Sequence, residues 1–238
     1  MPSITGPRFL SPAEIRQTGE TTQQGPLGGR IETLDGRIFR YAQNASSALV
    51  QGNLIQAPAI NSKSINIVLS AAAAVNATEV AVTLASSTAA VNEFADGFMV
   101  VNDVDGEGIA YRIGGNLPSV STALTLSLTE PVKVAMTTST EVSLINTFRD
   151  VVQSVATTLT GAPVGGADRA YAADEYFWLQ TGGPGSVLNG DSAVVNQMLM
   201  AGTTAGSVLI ADAGDPQLGK AMQAHVSGEH RGIFWLLY

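Results

Sequence analysis

Tyr176-Phe177-Trp178-Leu179-Gln180, followed at once by Thr181-Gly182-Gly183-Pro184-Gly185-Ser186-Val187-Leu188, and the final run Ile233-Phe234-Trp235-Leu236-Leu237-Tyr238 hold both tryptophans of the chain. Each is a short apolar run bounded by turn-forming residues. The pattern predicts strands rather than helices, with Gly182 to Gly185 read as a turn. The final run does not alternate, so it is expected to be buried on both faces, in a core or under a partner. Aromatics make up only 6% of the residues. Three uses of these rings stay open: core filling between sheets, a flat platform for carbohydrate, or a seam between subunits.

Outward from these runs the signal remains β. Arg30-Ile31-Glu32-Thr33-Leu34 and Arg37-Ile38-Phe39-Arg40-Tyr41 flank Asp35-Gly36. This is a hairpin signature, expected to use a type I′ turn. Phe39 and Tyr41 share a face with Arg37, which suits a small or edge sheet. Short strands punctuated by turns are expected over 65–69, 80–84, 97–101, 108–113, 123–128 and 132–136. Others are expected over 175–181, 186–188, 197–200, 207–211, 219–226 and 232–238. Val142 to Val155 has near-helical spacing of its apolar residues and is assigned a short helix or turn. The fold class is all-β, with two small barrel- or sandwich-like domains. The expected boundaries are an extended N-terminal arm over 1–30, a hairpin segment over 31–62 and a middle β domain over 63–156. A linker over 157–167 and a C-terminal barrel over 168–238 follow. The arm is rich in Gly, Pro, Thr and Gln, and Phe9, Leu10 and Ile15 are its apolar handles.

Composition narrows function. The 238 residues are 45% hydrophobic, enough for a real core. Charged residues are 13%, against about 25% in typical domains, which suits either a Thr/Ser-rich β protein or a subunit that buries much of its surface. A net charge of −8 without a basic run argues against nucleic acid as partner. No stretch reads as a membrane span or signal peptide, so the expected site of synthesis is the cytoplasm. Cysteine is absent, which removes disulfides and thiolate chemistry. The sequons at Asn44 and Asn76 are read as accidental.

Motifs that carry chemistry are incomplete. Gly214-Asp215-Pro216-Gln217-Leu218-Gly219-Lys220 matches the start of a phosphate-binding loop, but Ala221 stands where Ser or Thr would hold magnesium. Asp103-Val104-Asp105-Gly106 resembles the start of a calcium loop but has Gly114 at the twelfth place, so a hairpin turn is expected. His225 and His230 are five apart and read as exposed turn residues, without a third zinc ligand. No Gly-x-Ser-x-Gly elbow has a plausible base, and nothing singles out a carboxylate pair, Asp174 and Glu175 included. No catalytic residue, cofactor or metal site is nominated, and the chain is not expected to be an enzyme.

Val164-Gly165-Gly166-Ala167-Asp168-Arg169-Ala170-Tyr171, the Tyr176–Leu188 run, Leu218-Gly219-Lys220-Ala221 with the final strand, and Asp35-Gly36-Arg37-Ile38-Phe39-Arg40-Tyr41-Ala42-Gln43 together resemble head decoration (capsid cement) proteins of tailed bacteriophages. The resemblance covers about half the chain, and the middle β region departs from it, as an insertion or outward-facing module would. It implies a structural virion protein made in the host cytoplasm and placed on the capsid exterior. Such a protein would form a homotrimer and bind the major capsid protein. Interface candidates under that resemblance are Phe9, Leu10, Ile15, Phe39, Tyr41, Trp178, Phe234, Trp235 and Tyr238. The alternatives are a phage fibre or tail module that binds a receptor or glycan through the middle domain, and an undescribed hydrolase.

Overall fold

The computed structural model describes residues 11–15, 19–155 and 159–237. Phe9, Leu10 and Tyr238 lie outside them. The chain is all-β and divides into two compact units: residues 60–146 form one, and the described residues before 60 and after 146 form the other. The expected division into hairpin, middle domain, linker and barrel is therefore redrawn. The hairpin and the C-terminal strands belong to one unit, which the middle module interrupts.

One turn of helix, α1 (Pro12–Ile15), starts the described chain. Ser11 and Glu14 cap it reciprocally: the Glu14 carboxylate accepts the Ser11 N–H at 2.7 Å, and the Ser11 hydroxyl accepts the Glu14 N–H at 3.3 Å. Ile15 is buried against Ile31, Phe39 and Trp178. Glu20 pairs with Tyr176 through two backbone bonds of 2.9 and 2.8 Å, and Leu27 is buried. The described part of the expected arm thus lies on its own chain, because its apolar residues and backbone groups find partners there.

Next, β1 (Arg30–Glu32) and β2 (Ile38–Gln43) form the expected hairpin, with Ile31 opposite Phe39. The turn is not type I′, since of Asp35 and Gly36 only Gly36 has positive φ, at 81°. Thr33 closes the loop instead, donating its N–H to the Arg37 carbonyl at 2.9 Å. β2 is not an edge strand: Ile38, Phe39, Tyr41 and Ala42 are buried. The Arg37 guanidinium lies 5.5 Å over the Phe39 ring and pairs with Asp35 at 2.9 Å, so its charge is neutralised where it packs. β3 (Leu54–Gln56) follows.

The unit 60–146 is a six-stranded antiparallel sheet of β4 (Ile67–Val68), β5 (Glu79–Thr83), β6 (Phe98–Asp103), β7 (Ala110–Asn116), β8 (Ala123–Leu128) and β9 (Glu141–Ile145). The strand order is β4-β9-β6-β7-β8-β5. A bridge between Leu69 and Val82 joins the two ends, so the sheet curls into a barrel. Strict alternation in β8 puts Leu124, Leu126 and Leu128 into the core with Met99, Tyr111 and Ile113. Two expectations change here. Glu141–Ile145 is a strand rather than a helix, with Val142 and Leu144 turned into this core. Residues 132–136 form no strand, because their pairing is confined to an isolated bridge of Met136 with Ala73 and to bonds of Val132 with Asn76 and Ala77.

After residue 146 come β10 (Val152–Gln153), β11 (Pro163–Gly166), β12 (Tyr176–Asn189), β13 (Met198–Ala201), β14 (Ser207–Ile210), β15 (Gly219–Ala221) and β16 (His230–Leu236). The expected linker thus contains a strand, β11, which pairs with β3 and β12. The expected turn at Gly182 to Gly185 is instead the middle of the 14-residue β12. Glycines are needed there for close approach. A Cβ on Gly183 would sit 2.5 Å from the Gly36 carbonyl at a φ of 78°, and one on Gly182 would press on Ile38. The first half of β12 pairs with β2 and the second half with β16, Gly183 facing Trp235. A bulge at 180–182 separates the halves. From β12 the sheet runs through β14, β13, β15 and β16 and back to β12, which closes a barrel. Trp235, Ile233, Val187, Leu199 and Val208 fill it.

Candidate functional site

The structure places the nominated residues unequally. Ile15, Phe39 and Tyr41 are buried within their own chain, as is Trp235, which is 0% exposed. Trp235 therefore serves as core, not as a carbohydrate platform or a subunit seam. Trp178 is half-buried, its ring 5.0 Å from that of Tyr41, and Phe234 is 41% exposed. Among the described residues, these two are the nominated aromatics with surface left to offer. Burial raises the Tyr41 phenol well above its ordinary pKa, and its hydroxyl donates to Glu20 at 2.8 Å while accepting the Gln24 N–H at 3.1 Å.

The incomplete motifs resolve into turns. Residues 213–215 form a turn that leads into β15, a strand where a phosphate-binding loop would open a helix. Asp103 and Asp105 lie in the hairpin between β6 and β7, where the Asp103 carboxylate accepts the Val104 N–H at 2.6 Å and Asp105 accepts the Thr137 hydroxyl at 3.2 Å. Among the described residues, no three of His, Asp and Glu gather as a metal-binding group. His225 departs from expectation. It is 4% exposed, and its Nε2 meets the Gly232 carbonyl at 2.9 Å while Nδ1 is buried without a partner. The ring ties the loop after β15 to β16, a role invisible to motif spacing.

Sequence reasoning missed a cleft of about 380 Å³ beside the barrel. Gln51 and Gly52 line it from the turn before β3. Gly166, Ala167 and Asp168 enter at the end of β11, Gln180 and Ser186 from β12, and His230 from the start of β16. Local geometry fixes several of these groups. Gly52 has a φ of 73° and lies so close to the His230 ring that a Cβ there would collide with it; one on Gly166 would meet the Trp235 indole at 2.6 Å. Gln180 is 3% exposed, and its amide nitrogen donates to the carbonyls of Gly182 at 3.1 Å and Pro184 at 2.8 Å. The side chain thus supplies two donors where β12 bends, and its amide cannot flip without losing both. The carboxylate of Asp168 also lies near Tyr171, whose phenol is raised well above its ordinary pKa by burial and then by that charge.

Ser186, His230 and Asp168 all line the cleft, but no hydrogen bond among the described residues joins Ser186 to His230 or His230 to Asp168. The lining surface is about half polar and half apolar, and Ala167 is the one apolar side chain among the residues named.

No protein-family profile, no curated protein and no solved structure matches this chain.

Proposed function

We propose that the chain is a structural virion protein that binds the outer capsid surface of a tailed bacteriophage and stabilises the head by bridging capsid subunits. One observation carries the reading. The segments that resemble decoration proteins are scattered over 35–43, 164–188 and 218–238, yet β2, β11, β12, β15 and β16 all lie in one sheet. The middle region that departs from the resemblance, 63–156, overlaps most of the separate unit 60–146. The low charge content suits a surface covered by neighbours. The partially exposed Phe234, whose neighbours across the sheet are Pro184 and Lys220, sits in a mixed apolar and basic outer row on the barrel. In this reading that row contacts another subunit, in a homotrimer or against the major capsid protein, and many simultaneous contacts supply the affinity.

A cryo-EM map of the phage particle whose genome encodes this chain tests the proposal. Hundreds of copies on the head exterior are expected. A handful of copies at the tail would replace this reading with the fibre or receptor-binding alternative, and absence from the virion would overturn both.

A further inference from the structure

We infer that the cleft beside the barrel is a binding site for a neutral, hydroxyl-rich ligand of the size of one or two sugar residues. The inference does not depend on the virion reading. Its basis is the donor and acceptor set. Gln180 is almost wholly buried, and its amide hydrogens are held by the Gly182 and Pro184 carbonyls. Its Oε1 accepts no hydrogen bond from the described residues, so it stands as a pre-oriented acceptor in the cleft wall. Ser186, His230 and Gln51 can each donate or accept.

The chemistry of other ligand classes fits this set less well. An anion would face the Gln180 oxygen inside a chain of net charge −8. A hydrocarbon would cover the apolar half of the lining but leave the polar groups of Gln180, Ser186 and Gln51 unmatched. A compact cation would use the acceptors but leave the donors of Ser186 and Gln51 unmatched, and the metal-type clusters are absent among the described residues. A sugar hydroxyl both donates and accepts, and several on one ring satisfy a mixed set at once. The volume of about 380 Å³ falls at the small end of ligand pockets, which run from about 300 to 1,000 Å³. The Trp235 indole is close behind Gly166 and Gly185 but fully buried, so no aromatic face is free to stack on a ring. A dissociation constant of about 1 mM is accordingly expected for a single residue.

The chain holds two tryptophans, so a ¹⁵N–¹H spectrum of the whole protein carries two indole signals. Titrating glucose, galactose, mannose, N-acetylglucosamine and their disaccharides should move the Trp235 signal and leave that of Trp178 in place for at least one sugar. Gln51→Ala and Ser186→Ala should each weaken that sugar about tenfold or more, with thermal unfolding unchanged. His230→Ala, at an exposed position, serves as the third variant. Failure of every neutral sugar to shift Trp235 up to about 50 mM would overturn the inference. So would binding that survives all three substitutions, or tighter binding of sialic acid than of any neutral sugar.

Discussion

Trp235 and Phe234 are neighbours in β16 with opposite fates, one filling the barrel and one facing out. Trp235→Ala should cost about 3–5 kcal/mol, as large aromatic truncations in cores do, read as a lowered midpoint in urea unfolding followed by circular dichroism. Phe234→Ser should change the stability of the isolated chain by no more than about 0.5 kcal/mol. If the outer row is a subunit contact, the same change should lower the mass of the assembly in solution. Asp35 gives a pH test. Hydrogen bonds from Arg37 and Thr33 lower its pKa to about 2 from an ordinary 3.8. Its contribution to stability is therefore present above about pH 3.8 and lost as pH falls through about 2. The carboxylate is half exposed, so the contribution is below about 1 kcal/mol. The melting-temperature gap between wild type and Asp35→Asn should be seen at pH 6 and vanish near pH 2; a gap that persists there contradicts this assignment. At this scale the sequence was partly legible. Burial of Trp235 follows from its unalternating strand, whereas the contacts that bury His225 and orient Gln180 depend on distant backbone carbonyls that no local spacing encodes.

At the scale of elements, alternation found β8 and the apolar runs found the two ends of β12. The continuity of β12 through four turn-forming residues was hidden, because its cause lies in β2 and β16 pressing on either side of it. Helical spacing misled over 142–155 for a similar reason: Val142 and Leu144 answer to a barrel core rather than to a helix face. The arm was legible in composition but not in destination, since Ile15 finds its pocket between Ile31, Phe39 and Trp178. Removing residues 1–19 should therefore destabilise the chain by about 1.5–3 kcal/mol through loss of the buried Ile15 alone, visible as a lower melting temperature. An unchanged melt would show that the arm contributes nothing to its own chain.

On the scale of the whole molecule, the two units were anticipated in number and misplaced in boundary, because pairing between residues 38–43 and 176–182 spans the sequence. The points where the chain leaves and re-enters the interrupted unit are adjacent: Gln56 pairs with Val152, and Ala57 bonds Ala162. In the inserted unit, Ile67 likewise pairs with Val142. Replacing residues 60–146 by a short Gly-Ser linker should leave a folded protein with its cleft intact, and the fragment 60–146 should fold alone. Both are checked by dispersed NMR spectra and cooperative melting. Loss of cooperativity in either would show that the two units depend on each other.

The same interruption sets a timetable for synthesis. β2 leaves the ribosome about 130 residues before its partner β12, a wait of roughly 7–27 s at the usual elongation rates of about 5–20 residues per second. The inserted barrel is fully translated within that interval and can form at once, while Ile38, Phe39 and Tyr41 remain uncovered until the final third of the chain appears. Newly made β2 is therefore the segment most in need of a chaperone's protection, and a protein with its halves already joined by excision would spend far less time exposed.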